Sequence, residues 1–268
     1  MTPAIPGPTS PDIRREDSGG VITLTFTRDH KLNAVTGDML DVIRHAVEDL
    51  RDRDEHRVLV ITAEGRYFTA GADITALPVG QTGPDVPGST FRRNYRRLHE
   101  LFDEIEAVEK PVITVAQGPC LGIGMELSSS CDFRFAADGA RFGLPEVRNI
   151  AAMPGSGGIS RLTRLIGPHW VRWLAMAGQE IDAARALNVG YLHAVYPADE
   201  LQSRVGEFVR DLLSQPAEAL GLAKVVIDAA ATSDRTAARD FDRVANTALV
   251  ASAEHRAKLD AFAARRKK

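Results

Sequence analysis

Short β-branched runs alternate with amphipathic stretches along the first two hundred positions. Val21 to Phe26 places apolar residues against threonines and predicts a strand. Thr36 offers a side-chain oxygen where a helix should start, and Met39, Ile43, Ala46, Val47 and Leu50 then fall on one helical face. Val58 to Thr62 is apolar almost throughout, as strands covered on both faces are. Strand, helix and strand in that order predict a parallel crossover. Pro78, Gly80, Gly83, Pro84, Pro87 and Gly88 then break the chain, so a loop is expected from Leu77 to Ser89, long enough to be functional or disordered.

A helix should follow, with Phe91, Tyr95, Leu98, Phe102 and Ile105 on one face. Val112 to Ala116, set off by Pro111, predicts another buried strand. The run Gly118-Pro119-Cys120-Leu121-Gly122-Ile123-Gly124 interrupts it before a helix from Met125 to Ser130 and a short strand from Asp132 to Ala136. Beyond Gly158 the pattern becomes wholly helical. Pro168 opens one helix ending near Gly178, and Asp182 caps another that stops at Asn188. Ala-rich helices broken at Pro216 and around Ser233 complete the chain. The organisation expected is α/β: a disordered leader over residues 1–12, a βα body over 13–198 and a helical region over 199–268.

Composition narrows the classes. The 268 residues are 44% hydrophobic and 26% charged, which is ordinary for a globular protein. A formal charge of −3 gives no domain-wide basic excess for a nucleic-acid partner. No apolar run approaches the ~18 residues of a membrane span, so no membrane partner is expected. Two cysteines, Cys120 and Cys131, fit a reducing compartment, and Met1 to Pro11 lacks a basic segment followed by an apolar one. A cytoplasmic location is expected. The seven histidines form no ligand-like spacing, so no metal is expected either.

The chemistry concentrates between Lys110 and Gly158. A strand, a glycine turn and a helix start leave backbone N–H groups pointing outward with the positive end of the helix dipole behind them. Glu126 stands one helical turn beyond that point, and Glu146 follows in Phe142-Gly143-Leu144-Pro145-Glu146. Amide donors for an oxyanion, with carboxylates to move protons, suit reactions in which a carbonyl becomes an enolate. Taken alone, Glu126 reads more readily as a solvated helix carboxylate and Glu146 as a first-turn residue after Pro145.

Two further segments change that balance: Lys31-Leu32-Asn33-Ala34-Val35, and Tyr67-Phe68-Thr69-Ala70-Gly71-Ala72-Asp73-Ile74. With the Gly122-Ile123-Gly124 and Glu146 segments in the same order, the chain resembles the enoyl-CoA hydratase/isomerase (crotonase) superfamily over roughly residues 18 to 268. The resemblance implies a spiral of repeated ββα units, and a helical C-terminal region that builds a homotrimer or a dimer of trimers. It implies an acyl-CoA thioester substrate and no cofactor, coenzyme A being part of the substrate. It puts the oxyanion-holding amides on Ala72 and Ile123. It makes Glu126 the base that activates water and Glu146 the acid that protonates C2 of a trans-2-enoyl-CoA. Lys31, Leu32, Ala34, Ala70, Gly71, Asp73, Ile74 and Gly122 fall at its substrate-binding positions, with Asp73 bracing its loop, while Arg28 and Lys267-Lys268 are candidates for CoA phosphates.

Two departures stand out. Ile123 replaces the usual glycine, and the segment from Glu146 to Gly155 is one residue longer than the family pattern. Rivals on the same scaffold are Δ3,Δ2-enoyl-CoA isomerisation, dehydration, thioester hydrolysis and C–C cleavage; a non-catalytic acyl-CoA or partner-binding relative is the rival of another class. Gly155-Ser156-Gly157-Gly158 lacks the Lys-Ser/Thr ending of a phosphate loop, and Trp170 and Trp173 read as core or subunit contact.

Overall fold

The computed structural model describes residues 7–76 and 87–265. The first six residues of the expected leader, most of the expected Leu77 to Ser89 loop, and Lys267-Lys268 lie outside the described residues. The chain divides into two compact units, Met1–Val209 and Arg210–Lys268.

In the first unit, a six-stranded sheet among the described residues has the order β1-β2-β3-β4-β6-β9. Its strands are β1 (Ile13–Ser18), β2 (Val21–Phe26), β3 (Val58–Ala63), β4 (Val112–Ala116), β6 (Phe133–Ala137) and β9 (Ala194–Tyr196). β2 runs antiparallel to β1, and every later neighbour pairs in parallel. Helix α1 (Gly37–Asp52) makes the crossover from β2 to β3, with the Thr36 side chain accepting from the Met39 amide at its start. All six β3 residues are buried, as are all five of β4, so their apolar runs reflect cover on both faces. Helix α2 (Gly88–Ala107) buries Leu98, Leu101, Phe102 and Ile105 in the same core.

A second sheet of three strands pairs β5 (Cys120–Leu121) in parallel with β7 (Arg141–Gly143), which meets β8 (Ile181–Asp182) antiparallel. Helix α3 (Ile123–Ser130) is buried throughout. Helix α4 (Glu146–Ile150) is short, and α5 (Gly158–Val171) bends at Gly167, whose φ of 76° interrupts the helix before Pro168. A π-type turn over Arg172–Met176 and helix α6 (Ala183–Asn188), capped by Asp182, follow.

Several elements depart from expectation. β1 is an edge strand in which only Ile13 is fully buried, so its charged sequence carries no strand pattern. The segment beyond Gly158 is not wholly helical: β8 and β9 intervene, each too short for periodicity to register. The expected Asp132 to Ala136 strand begins one residue later, because Asp132 instead accepts the Val112 amide on its side chain.

Helix α7 (Leu201–Leu213) crosses the division between the units. The second unit holds α8 (Ala217–Thr232), α9 (Arg235–Val250) and α10 (Ala253–Arg265). Pro216 and Asp234 mark two helix starts near the expected breaks; the third break, at Ala251 and Ser252, lacks a glycine or proline to announce it. Ile227, Val244, Leu259 and Phe262 are exposed on these helices.

Candidate active site

The two glycine turns lie against each other. Thr69 and Cys120 form a parallel bridge, in which the Thr69 amide donates to the Pro119 carbonyl (3.1 Å) and the Leu121 amide to the Thr69 carbonyl (3.0 Å). A second bridge joins Val35 to Ala72: the Val35 amide donates to Gly71 and the Asp73 amide to Val35, both at 2.9 Å. That pairing leaves the Ala72 amide outside the bridge. Ile123 is the first residue of α3, so its amide has no acceptor within the helix. No acceptor among the described residues takes either amide. The turns that precede them are close at the backbone: a Cβ on Gly71 would stand 3.9 Å from the Gly122 Cα.

Asn33 fixes the first turn from behind. Fully buried, with φ of 54°, it accepts the Arg28 amide (2.8 Å) and donates from its side chain to the carbonyls of Glu64 (2.8 Å) and Tyr67 (2.7 Å). Arg28 is not a free phosphate ligand. It is mostly buried and engages Asp73 (2.8 Å), Asp12 (3.1 Å) and the Ala34 carbonyl (3.0 Å). Asp73 accepts first from Thr75 and then from Arg28, and those bonds hold its carboxyl down at about 2. Lys31 is exposed at the end of a 3-10 turn, and the Leu32 carbonyl accepts the Ala70 amide (2.9 Å).

Glu126 and Glu146 face one pocket of about 290 Å³ from opposite environments. Glu126 is 2% exposed, and its Oε2 accepts the amides of Ser156 (2.8 Å) and Gly158 (3.0 Å) at the N-terminus of α5. Burial pushes its pKa above the ordinary carboxylate range, while those amides and the Arg161 charge pull the other way. Glu146 opens α4, and its buried Oε2 has no hydrogen-bond partner among the described residues. Burial first, then the neighbouring Glu126 charge, raises its pKa to about 7. Neither glutamate is a freely solvated helix carboxylate.

The rest of the pocket is mainly apolar. Ala72, Ile74, Ile123, Ile150 and Met153 line it, with Phe91, Tyr95 and Leu98 of α2 as one wall. Ile123 is 5% exposed and joins the hydrophobic core, so its branched side chain is largely accommodated there. The segment after Glu146 closes as a left-handed cap: Ala151 has φ of 52°, and its amide returns to the Glu146 carbonyl. Ile150 and Met153, exposed at 51% and 64%, stand on either side of that cap among the pocket residues.

Sequence reasoning missed Tyr95, Ser156 and Gly158. Tyr95 was legible only as part of an apolar helix face. Gly155-Ser156-Gly157-Gly158 invited comparison with a phosphate loop, whereas its amides serve a carboxylate of the same chain. Among the described residues, no group of three or more His, Cys, Asp or Glu side chains is placed to hold a metal ion, and no helix is long and apolar enough to cross a membrane.

An α/β core with two carboxyl groups at one mainly apolar pocket, beside two glycine turns, has the crotonase fold. The chain matches the enoyl-CoA hydratase/isomerase family over residues 16–268, and it belongs to that family. It is 32% identical over 253 residues to a short-chain-enoyl-CoA hydratase of Clostridium acetobutylicum, covering 94% of each chain. It is 33% identical to a crotonyl-CoA hydratase of Syntrophomonas wolfei, covering 91% of this chain and 92% of the other. The solved structure of an enoyl-CoA hydratase from Bacillus anthracis superposes with a TM-score of 0.86 at 26% identity, over 95% of this chain and 96% of that one.

Proposed function

We propose that this protein hydrates a trans-2-enoyl-CoA to a 3-hydroxyacyl-CoA. The observation that carries the reading is the unlike pair of carboxyl groups at one pocket. Two amides engage Glu126, whereas Glu146 has an unpartnered buried oxygen and a pKa raised to about 7. Burial raises both; two turn amides donate to Glu126 Oε2 whereas Glu146 Oε2 has no partner, and on that difference the ionised member of the pair is Glu126. It then serves as the base that takes a proton from water as the oxygen adds to C3. Glu146, protonated, delivers a proton to C2. The amides of Ala72 and Ile123 hold the thioester oxygen as negative charge develops there, a task for donors and not for side chains.

The turn around Leu32, Ala34 and Ala70 presents backbone groups for the adenine of CoA, with Lys31 beside the phosphates. Gly71, Asp73, Ile74 and Gly122 shape the rim. No cofactor beyond the CoA of the substrate takes part. The pocket volume and the names of the two relatives, a short-chain-enoyl-CoA hydratase and a crotonyl-CoA hydratase, support a short acyl group. Exposed apolar residues on α8 to α10 support assembly through that region into a trimer or a dimer of trimers, and the protein acts in the cytoplasm. Incubation with crotonyl-CoA in ¹⁸O-water tests the reaction: the enoyl thioester absorbance falls and label enters the product. Crotonyl-CoA bound but unchanged would overturn it, and conversion of a 3-enoyl-CoA without label would make the enzyme an isomerase.

A further inference from the structure

Glu126 owes its hydrogen bonds to a turn, and something must hold that turn in place. The Arg161 side chain, on the first turns of α5, is 4% exposed. Its Nη1 donates to the Ser156 carbonyl (2.9 Å), its Nε to Glu106 Oε2 (2.7 Å), and its Nη2 to Asp103. Both acids lie on α2, the helix that also carries Phe91, Tyr95 and Leu98 into the pocket. His99 of the same helix donates to the Gly155 carbonyl (2.6 Å). The Gly155–Gly158 turn is therefore gripped through its carbonyls on one side and offers amides to Glu126 on the other.

Two consecutive glycines fit this double contact. At Gly157, with φ of 88°, a Cβ would collide with the Arg161 guanidinium. At Gly158 it would stand 2.8 Å from Glu126 Oε2. One glycine admits the arginine and the other admits the glutamate.

We propose that Arg161 is a positioning residue for Glu126, holding the Ser156–Gly158 turn so that both amides meet one carboxylate oxygen. The role rests on the reading of Glu126 as the base, and it adds a residue that need not touch substrate. The charged or titratable groups facing Glu126 are Glu146 from α4, Tyr95 from α2 and Arg161 from α5. Of these, only Arg161 favours the ionised form. Losing it removes a nearby positive charge and loosens two donors, and both changes favour protonated Glu126.

The test compares Arg161→Gln, Arg161→Lys and Glu106→Gln with wild type, using crotonyl-CoA. Arg161→Gln should lower kcat by about tenfold to a hundredfold with KM little changed, the scale of a slightly misplaced catalytic group. The acid limb of its kcat/KM profile should move up by about one pH unit. Arg161→Lys should return part of that shift, and Glu106→Gln should move the limb in the same direction by less. Carboxyl ¹³C NMR of Glu-labelled protein follows the Glu126 titration without turnover, so it separates failure of this role from failure of the hydratase reading. A folded Arg161→Gln protein with its acid limb and Glu126 titration unmoved would overturn the proposal. Should that variant not fold, unmoved limbs in both Arg161→Lys and Glu106→Gln would do the same.

Discussion

Gly122 lies directly against the Glu146 carboxyl group: a Cβ at position 122 would stand 2.8 Å from Glu146 Oε1 and 3.5 Å from the Gly71 Cα. The φ of 55° and ψ of −126° at Gly122 are also poorly open to other residues. One position thus sets the spacing between an acid and the two amide-bearing turns. Gly122→Ala should therefore act on chemistry more than on folding as a whole. We expect kcat/KM for crotonyl-CoA to fall by at least ~10²-fold, the cost of misplacing reacting groups by a fraction of an ångström, while far-ultraviolet circular dichroism stays native. Activity within a few fold of wild type would show that Glu146 can step aside without penalty.

Glu146 also gives a pH dependence with a definite sign. Its pKa rises from 4.5 to about 7 in the folded chain, so the folded protein binds this proton more tightly than the unfolded one. The group is neutral in both states below 4.5. Its penalty grows between 4.5 and about 7 and is fully present above. Activity that needs the protonated acid should accordingly be lost along a basic limb near pH 7 in kcat/KM. Glu146→Gln should abolish that limb and depress kcat by ~10²-fold or more. It should also recover about 1–2 kcal/mol of stability at pH 8 relative to pH 4, the pKa shift being discounted for solvent in the pocket. Urea titrations at the two pH values measure this.

Much of the fold was legible because its strands are long enough to carry a pattern. β3 and β4 are apolar but for one threonine each, and α1 shows both its cap and its face. β1 was hidden by its charges, and β5, β7 and β8 by length, since two or three residues have no period. The site divides in the same way. Glu126 and Glu146 were visible through four motifs in register. Their unlike surroundings were not, because these depend on amides thirty residues away and on an oxygen left unpartnered by packing. Arg28 illustrates the converse: a basic residue beside a binding motif looked available, yet two aspartates and a carbonyl already hold it.

Asn33 shows what the Lys31 to Val35 motif protects. Its side chain serves one amide and two carbonyls, all in the buried join between the turns at 28–34 and 64–67. Asn33→Ala leaves those groups without their partner and puts a Cβ-only residue at positive φ, where asparagine is better tolerated. A loss of about 2–3 kcal/mol in chemical denaturation is expected. Asn33→Asp keeps the acceptor for Arg28 but turns a carboxylate toward two carbonyls, so it should destabilise at least as much at pH 7. A milder effect of Asp than of Ala would mean that the acceptor half of this network matters more than the donor half.

Tyr95 lines the pocket and lies against a glycine. A Cβ on Gly155 would come within 2.6 Å of the Tyr95 hydroxyl, so ring and backbone already touch, and Phe91 backs the ring at 4.5 Å between centroids. The ring stands in the pocket wall, and burial first, then the nearby Glu126 and Glu146, push its phenol above its ordinary pKa. Removing the ring and removing only the hydroxyl should therefore part company. Tyr95→Ala opens room for about two further methylenes, each worth ~0.8 kcal/mol when buried. The ratio of kcat/KM for hexenoyl-CoA to that for crotonyl-CoA should then rise about tenfold. Tyr95→Phe keeps the wall and should leave that ratio unchanged, whatever it does to the rate. A tenfold change in the ratio for Phe, or none for Ala, would remove Tyr95 as the element that limits chain length.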